Sequence, residues 1–323
     1  MVVTVAVVSR NTRELLLRCL RSLEDASASG RARVWIVDNC STDGSAAAAR
    51  EFAPWAHVIG AQRNLGFGRA VNLVARGLDD EWLLAATADV ALEAGALDAM
   101  LSAGVDPAVG CVAPKLVLPG GEIQHSVHPL PTVPLTIALN LGAERLIPGL
   151  GERMYLDGYW DPDQPRAVPW AVGACLLMRR AAFDAVGGFD ERQWMYAADL
   201  DLCWRLREAG WTIRYEPAAR VEHVAGAGPL RALGSDRSAA FTKATYPVIR
   251  RRRGRVGAAA MAAINLGGAA GRLAWMSPLA LFQPRWRAPR DANRRRFAVH
   301  RQGMGVALRE GRAARPVAAA SSR

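Results

Sequence analysis

Paired cysteines and a basic leader segment are both missing from this sequence. The five cysteines are scattered, odd in number, and never spaced as CxxC. They are Cys19, Cys40, Cys111, Cys175 and Cys203. We therefore expect neither a disulfide framework nor a zinc site, and a reducing compartment fits this pattern. The apolar run 2–8 is too short for a signal peptide and follows no basic region, so we expect no signal peptide.

The net charge of +11 is divided unevenly along the 323 residues. Residues 231–323 contain 20 lysines and arginines against 3 acidic residues, whereas residues 1–230 contain 21 against 27. A hydrophobic fraction of 51% supports a large core, so we expect one large domain or one domain with an appendage. The basic part indicates an anionic partner, either a membrane surface or a nucleic acid.

Apolar runs and helical stripes alternate over the first 90 residues. Unbroken apolar runs predict buried strands, and apolar residues spaced three or four apart predict helices. Expected strands are 2–8, 34–37, 58–59 and 82–86, and expected helices are 12–23, 45–52 and 64–78. This alternation favours an α/β fold with a mostly parallel central sheet flanked by helices.

The pattern becomes less regular in the second half of the body. Residues 111–180 are rich in proline and glycine, and only 171–178 resembles a strand. Later expected elements are helices at 181–186 and 199–209 and strands at 212–215 and 220–223. Beyond Gly226 the composition changes to alanine, glycine and arginine, which predicts a boundary near residue 230.

Polar residues follow each of the four early strands. In VWIVDNCSTDGS (34–45) a buried strand runs into Asp38 and Asn39. The other strands are followed by Ser9 to Asn11, by Asn64 to Asn72 and by Asp89. Turn formation explains any one of these on its own. Parallel strands would bring all four to one edge of the sheet, so their agreement predicts a nucleotide-sized crevice there.

A second group of candidate residues lies nearer the end of the body. Asp199 and Asp201 stand at the start of an expected helix, where acidic residues complement the helix dipole, so one of the two is expected only to cap. His223 follows the last expected strand. A single histidine at such a position is usually structural. If His223 faces Asp89, the imidazole and the carboxylate would together bind Mg²⁺ or Mn²⁺ that also contacts a diphosphate.

Seven stretches occur in an order that is specific as a set. They are VAVVSRN, VWIVDNCSTDGS, RNLGFGRAVN, LLAATADV, VPWAVGACLLMRR, GGFDERQWMYAADLDLCWRLREAGW and VEHVAGAG. Over roughly residues 3–230 the chain resembles the family 2 inverting glycosyltransferases, and among them the bacterial rhamnosyltransferase-like branch. The resemblance implies the GT-A nucleotide-diphospho-sugar transferase fold for residues 1–230.

The resemblance also implies a role for each matching position. Asp199 matches the catalytic base, and Asp89 with His223 matches a site for Mg²⁺ or Mn²⁺. Residues expected to bind the donor are Ser9, Asn11, Asp38, Asn39, Asn64, Gly66, Asn72 and Asp89. Residues expected in the sugar and acceptor pocket are Trp170, Gly173 and Ala174, to which we add Asp201.

The implied reaction is a single displacement that inverts the anomeric carbon. The donor is a nucleoside-diphosphate sugar, with rhamnose as the sugar of this branch. The acceptor is a hydroxyl of a saccharide, lipid-linked in relatives, in cell-envelope polysaccharide synthesis. Asp199 takes the proton of that hydroxyl as the new bond forms.

The chain departs from the family pattern at three places. The DxD-like motif reads Thr87-Ala88-Asp89, the usual Glu-Asp pair reads Ala198-Asp199, and Pro229 replaces a frequent serine. Each key aspartate is retained while its neighbour is not. We expect an active enzyme with a loosened metal site. The alternative is a catalytically degenerate scaffold that binds a nucleotide sugar or glycan at the membrane.

The basic carboxyl-terminal part combines arginines with a weakly apolar stretch. Arg250–Arg255 reads RRRRGR, residues 256–271 carry no charge, and Arg272 interrupts the apolar sequence before 273–282. A spanning helix needs about 20 strongly apolar residues. We therefore expect a helical region, 231–311, on the cytoplasmic face of the cell membrane. The alternative is a solvated helical appendage.

Two further expectations concern this part of the chain. Residues 312–323 are expected to be disordered. A nucleic-acid-binding protein is the competing reading of the arginines, but no base-recognition motif accompanies them and aromatic residues are not interleaved regularly. We therefore expect no nucleic-acid partner.

Overall fold

The computed structural model describes residues 2–224 and 237–309. The boundary at 230, the departure at Pro229 and the tail 312–323 lie outside the described residues. The strands are β1 (Val3–Ser9), β2 (Ala32–Asp38), β3 (His57–Gly60), β4 (Trp82–Thr87), β5 (Val90–Leu92), β6 (Val109–Val117), β7 (Val127–His128), β8 (Arg166–Ala167), β9 (Trp170–Ala171), β10 (Cys175–Arg179) and β11 (Thr212–His223).

Helices separate the strands and form the carboxyl-terminal part. They are α1 (Arg13–Ala28), α2 (Ser45–Phe52), α3 (Phe67–Ala75), α4 (Ala96–Ala103), α5 (Val133–Leu141), α6 (Leu150–Arg153), α7 (Arg180–Ala185), α8 (Ala198–Glu208), α9 (Arg237–Phe282) and α10 (Arg287–Leu308). Short 3₁₀ turns lie at Ala143–Arg145 and Pro284–Trp286.

The central sheet has the order β3-β2-β1-β4-β10-β6-β11-β5, with β8 beside β11. Strands β3, β2, β1 and β4 are parallel, with Ser9 opposite Asp38 and Val8 opposite Thr87. The parallel arrangement predicted for the first 90 residues is therefore confirmed. It brings the carboxyl ends of these four strands to one edge of the sheet.

Apolar side chains cover both faces of the sheet. On one face α1 and α4 contribute Leu16, Leu20 and Met100, all fully buried. On the other face the core includes Val71 of α3 and Leu202 of α8. Strands covered on both faces read as unbroken apolar runs, which explains why the early strands were recognisable from sequence.

The prediction that residues 111–180 form a less regular region is wrong for the first residues of that range. Strand β6 is entirely buried and lies between β10 and β11. Pro114 and Lys115 obscured it, because proline lacks a donor for the ladder and lysine is rarely buried. Pro114 pairs with Glu216, where the β11 register shifts, and Lys115 forms an ion pair with Asp163.

The single strand expected at 171–178 is interrupted. The chain leaves β9 after Ala171 and enters β10 at Cys175. Between them the Gly173 amide turns toward Asp199, and the Ala174 carbonyl accepts from the Thr87 amide at 2.9 Å. The strands expected at 212–215 and 220–223 are instead one strand, β11, because a register shift at Glu216/Arg220 lets it continue past the irregularity.

The carboxyl-terminal part is helical, as predicted. Helix α9 bends at Gly254, whose φ of 73° lies in the left-handed region, so that segments 237–253 and 255–282 run in different directions. Helix α10 packs against both segments, with Tyr246 Oη 2.9 Å from His300 Nδ1 and Arg272 donating to Asn293. Among the described residues, no helix combines the length and apolarity that crossing a bilayer requires.

Candidate active site

A polar cleft and an apolar cavity adjoin at Met195, which lines both. The polar cleft, of about 140 Å³, lies at the carboxyl ends of β1 and β4. The apolar cavity, of about 600 Å³, lies between α5, α8 and α9. Each is lined by residues that were singled out in the sequence.

The polar cleft brings together five of the eight residues predicted to bind the donor. They are Ser9, Asn39, Asn64, Gly66 and Asp89. The Asn39 amide secures the loop before α3, because it donates to the Gly66 carbonyl and accepts from the Leu65 amide. Asn64 accepts from the Gly66 amide at 2.9 Å. These contacts hold the loop that forms one wall of the cleft.

Gly66 allows the loop before α3 to approach the backbone of Trp194 closely. Its φ is 81°, and a Cβ at this position would lie 1.9 Å from the carbonyl oxygen of Trp194. Only glycine accommodates both the left-handed φ and this approach. The backbone before Met195 is thereby held against the loop that lines the polar cleft.

Asn11 and Asp38 lie at the edge of the cleft rather than in its lining. Asn11 accepts from the Thr42 amide at 2.7 Å and connects the loops that follow β1 and β2. Asp38 is 5% exposed, and its Oδ2 accepts from the Ser41 amide. Its Oδ1 is buried without a hydrogen-bond partner in the described part of the chain. A buried carboxylate oxygen in this state is suited to accept from a ligand hydroxyl or amine.

Asn72, also predicted to bind the donor, does not line the polar cleft. Its side chain is buried, with the amide donating to the Phe189 carbonyl and the oxygen accepting from the Phe189 amide, both at 2.9 Å. The amide also donates to Glu191 Oε1 at 3.3 Å, so none of these three hydrogen bonds is made to a residue that lines the polar cleft. Asn72 lies in the interior of α3, more than one helical turn beyond Gly66 and Phe67, which do line the cleft.

Asp89 and His223 come together as predicted. The distance from Asp89 Oδ2 to His223 Nε2 is 3.5 Å, and both side chains are 12% exposed. His223 Nδ1 lies 2.7 Å from Gln124 Oε1, which accepts its hydrogen bond, and Nε2 faces Asp89. Thr87 donates to Asp89 Oδ1. In the described residues, no group of three or more acidic, histidine or cysteine side chains forms a closed metal site.

The apolar cavity contains the predicted catalytic base, Asp199. Asp199 stands in the first turn of α8, after Ala197 with a φ of 61°. Its Oδ2 accepts from the Gly173 amide at 2.9 Å and its Oδ1 from the Leu200 amide at 2.8 Å. Burial raises the pKa of Asp199 although these bonds lower it. A raised pKa makes the carboxylate a better proton acceptor.

The other residues predicted for the acceptor pocket divide between its lining and its support. Trp170 lines the cavity, and its indole donates to the Pro129 carbonyl at 3.0 Å. Gly173 holds Asp199 through its amide, with its Cα so close that a Cβ would lie 3.0 Å from Asp199 Cβ. Ala174 is buried behind them.

The placement of Asp201 in the acceptor pocket is corrected by the structure. Its side chain is fully buried on another face of α8, bonded to Arg205 at 2.7 Å and to Arg252 of α9 at 3.2 Å. Side chains two positions apart on a helix point in directions that differ by about 200°, so Asp199 and Asp201 cannot both face the cavity. Asp201 therefore connects α8 to α9.

Sequence reasoning missed Met195 and the whole contribution of α9. Phe241, Tyr246, Ile249 and Met261 line the cavity beside Asp199. The density of aromatic residues around Met195 was a usable signal. The residues of α9 gave no such signal in the sequence, because the cavity residues they meet on α5 and α8 lie far away along the chain.

Comparisons with known proteins show which family the chain resembles. A family model, Glycosyl transferase family 2, matches residues 4–187. N-acetylglucosaminyl-diphospho-decaprenol L-rhamnosyltransferase of Mycobacterium tuberculosis is 35% identical over 207 residues, 59% of this chain and 66% of that protein. Pre-mycofactocin glycosyltransferase of Mycobacterium tuberculosis is 32% identical over 68% of this chain and 42% of its own. The chain thus spans at most 66% of the length of these two relatives.

Two solved structures share the fold at low sequence identity. The structure of GalNAc-T7 with UDP, GalNAc and Mn²⁺ matches with a TM-score of 0.56 at 16% identity. The match covers 77% of this chain and 48% of the GalNAc-T7 chain. The mannosyltransferase PcManGT of Pyrobaculum calidifontis with GDP-Man and Mn²⁺ has a TM-score of 0.53 at 17% identity, covering 94% and 86%. The GT-A fold predicted from the sequence is confirmed.

Proposed function

The chain belongs to glycosyl transferase family 2, in its rhamnosyltransferase-like branch, and we propose that it transfers a sugar to a lipid-linked saccharide. In this proposal the donor is a nucleoside-diphosphate sugar, with rhamnose as the sugar. The acceptor is a hydroxyl of a saccharide used in cell-envelope polysaccharide synthesis. Support comes from the relative in Mycobacterium tuberculosis, whose name gives a diphospho-decaprenol acceptor and rhamnosyl transfer.

The observation that carries the proposal is the junction of the two cavities at Met195. The polar cleft provides oxygen and amide groups at the ends of parallel strands, which is where α/β sheets bind nucleotides. The apolar cavity provides a carboxylate with no other acidic residue in its described lining. A donor in the cleft and an acceptor beside Asp199 would meet at this junction.

Asp199 acts as the base in the proposed reaction. The acceptor oxygen attacks the anomeric carbon, Asp199 takes the hydroxyl proton, and the nucleoside diphosphate leaves, so the configuration is inverted. The Gly173 and Leu200 amides fix the carboxylate while the proton moves. Positioning and base catalysis of this kind together lower the barrier without a covalent intermediate.

The residues present fit a divalent metal that is shared with the donor. Asp89 would supply an oxygen and His223 its Nε2, because His223 Nδ1 is already bonded to Gln124, which orients the ring. With only two protein ligands, diphosphate oxygens and water would complete the coordination. Mg²⁺ or Mn²⁺ bound there would stabilise negative charge on the leaving diphosphate.

We also infer that the protein associates with the inner face of the cell membrane. Arginines are concentrated in the carboxyl-terminal helices, and Trp275, Leu281 and Phe282 of α9 are more than half exposed. Exposed apolar side chains among arginines match the headgroup region of an anionic leaflet. A lipid-linked acceptor would be available at the same surface.

A screen for product formation tests the proposed function. Purified protein would be given N-acetylglucosaminyl-diphospho-polyprenol with a panel of nucleotide sugars, in Mn²⁺, Mg²⁺ or EDTA. We expect one donor, with dTDP-rhamnose as the first candidate, to yield nucleoside diphosphate and a glycosylated lipid in equal amounts, with EDTA reducing the rate. Release of nucleotide without lipid product would contradict the proposed acceptor.

The degenerate scaffold is the second candidate function, because Thr87 stands where the family pattern has asparagine or aspartate and Ala198 stands where it has glutamate. The Thr87 hydroxyl is nevertheless bonded to Asp89, which keeps that carboxylate in place. In the same screen, thermal stabilisation by a nucleotide sugar with no turnover in any metal would favour the scaffold.

A further inference from the structure

We propose that one surface of the molecule inserts into the headgroup region of an anionic lipid bilayer, and that the body forms it together with the carboxyl-terminal helices. This docking surface consists of residues 137–147 and of the end of α9, residues 275–282. Its exposed large apolar side chains are Ile137, Leu139, Leu141, Leu146, Ile147, Trp275, Leu281 and Phe282. The inference rests on the membrane association proposed above and adds to it a part of the body.

Helix α5 lies alongside the second segment of α9 and runs in the same direction. Val133, at the start of α5, packs against the buried cluster that contains Ala258. Asn140, near the end of α5, donates to Asn265 at 2.8 Å and accepts from Arg272 at 3.2 Å. The contacts of α5 therefore advance along α9 as both helices proceed. The exposed residues that end the two helices consequently lie at the same end of the pair.

Leu141 and Trp275 connect the two parts of the docking surface. Leu141 directly follows Asn140, and Trp275 lies about one helical turn beyond Arg272, the residue from which Asn140 accepts. The two side chains are 73% and 56% exposed. Single exposed apolar side chains are normal on a protein, whereas contiguous ones mark an interaction surface. The docking surface is of the second kind.

The packing of α5 explains why its apolar side chains lie outside. Thr136 is buried, and Asn140, four positions later, lies on the same face and contacts α9. Side chains one position further along a helix point about 100° away, so Ile137 and Leu141 lie beside that face. After the helix, Leu146 is 79% exposed. Insertion would remove this apolar surface from water.

The turn between α9 and α10 has the composition of a membrane interface. Trp275 and Trp286 meet edge to face, with ring centroids 4.9 Å apart. Leu281 and Phe282 are 70% and 84% exposed, and the Arg285 guanidinium lies 5.7 Å from the centroid of the Trp286 ring. Tryptophan suits the headgroup level, because its ring is apolar and its N–H is polar.

The charge next to the docking surface favours a bilayer over a second copy of the chain. Residues 272–296 contain seven arginines and one acidic residue, Asp291. A symmetric dimer through this surface would bring the arginines of the two copies together, and like charges repel. An anionic leaflet supplies negative charge for the arginines and an apolar layer for the exposed side chains.

The body's share of the docking surface is tested with Leu146→Asp. Val105→Asp is the matched control, because Leu146 and Val105 are both 79% exposed and the change of charge is the same. Val105 lies between α4 and β6, outside the docking surface. Both variants and wild-type protein would be co-sedimented with vesicles of phosphatidylcholine and phosphatidylglycerol at low salt.

We expect Leu146→Asp to weaken vesicle binding at least about tenfold, because an apolar contact is lost and a charge must enter the interface. Val105→Asp is expected to weaken it less than about threefold, through net charge alone. Wild-type affinity in Leu146→Asp, or an equal loss in Val105→Asp, would overturn this inference. If wild-type protein bound no vesicles, the proposed membrane association would fail with it, whereas sugar transfer is decided by its own assay.

A fluorescent label at Ile147 tests insertion directly. Cys40 is the exposed cysteine and the other four are buried, so Ile147→Cys in a Cys40→Ser protein gives one site for the environment-sensitive dye NBD. Vesicles are expected to shift its emission to the blue, and to leave the same dye at Val105→Cys unchanged. An unshifted label on protein that co-sediments would overturn the inference. So would a vesicle-free wild-type dimer, measured by analytical ultracentrifugation, that Leu146→Asp dissociates.

Discussion

Gly66 is the residue on which the shape of the polar cleft depends most directly. Gly66→Ala would place a methyl group against the Trp194 carbonyl and strain a left-handed φ. We expect a loss of about 1–3 kcal/mol in the free energy of unfolding and at least tenfold weaker binding of nucleoside diphosphate, because the loop must move. Urea unfolding and calorimetric titration measure the two effects.

Gly60→Ala serves as the control for that variant. Gly60 ends β3, and a Cβ there would meet nothing within 4 Å. Its substitution is expected to leave nucleotide binding unchanged. Wild-type affinity in Gly66→Ala would show that the wall of the cleft does not need this close approach.

The lowered pKa of His128 predicts how the free energy of unfolding depends on pH. Its pKa is lowered to about 4 in the folded protein from 6.5, mainly by burial. The unfolded chain takes up a proton at higher pH than the folded chain, so the free energy of unfolding decreases as pH falls from about 6.5 and the loss is complete below about 4. His300 has a pKa lowered in the same way and adds to this slope.

The test compares urea unfolding of wild-type protein and His128→Phe between pH 7 and pH 4. Phenylalanine keeps the ring against Trp170, whose centroid lies 4.7 Å away, but cannot be protonated. We expect a smaller decrease in stability for the variant. Equal slopes for the two proteins would contradict the buried, neutral state of His128.

Helix α8 joins the site to the carboxyl-terminal helices through opposite faces. Asp199 faces the cavity, while Asp201 bonds to Arg205 and Arg252 without exposure to solvent. Asp201→Asn would leave those arginines without their buried counter-charge. We expect a loss of about 3–5 kcal/mol, measured by urea unfolding.

Glu208→Gln is the matched control, since Glu208 pairs with the same Arg252 but is 50% exposed. Exposed pairs of this kind contribute less than about 1 kcal/mol. Similar losses for the two variants would mean that the contact between α8 and α9 does not depend on the buried carboxylate.

The sequence was informative for elements whose pattern is local. The early strands and helices were predicted because each apolar run or stripe is complete within a few residues. Strand β6 was missed because Pro114 and Lys115 are tolerated only through pairing with β11 and with Asp163. Asp89 and His223 were found together since both end strands, whereas the role of Asp201 depends on arginines about 50 residues away.

At the scale of the whole molecule, charge is separated between an acidic body and basic helices. This predicts binding to vesicles that contain anionic lipid, with affinity that falls as salt is raised. Replacing Arg294, Arg295 and Arg296 of α10, all exposed, with glutamine is expected to weaken binding about 100-fold at low salt, at about 1 kcal/mol per charge. Vesicle co-sedimentation measures this.

A control with the same change of charge uses three exposed arginines of the body, Arg13, Arg50 and Arg63. Their replacement with glutamine is expected to leave vesicle binding nearly unchanged. An equal loss in both triple variants would indicate that net charge, and not the placement of the basic helices, governs membrane binding.

The central claim is that Asp199 is the base that activates the acceptor. The most direct measurement compares Asp199→Asn with wild-type protein in turnover and in the affinity for nucleotide sugar, once the donor has been identified. We predict that kcat falls by about 100- to 10,000-fold while the donor Kd changes less than about threefold, because Asp199 lines the apolar cavity and not the polar cleft. Retained turnover, or an equal loss of turnover and donor affinity, would contradict the account.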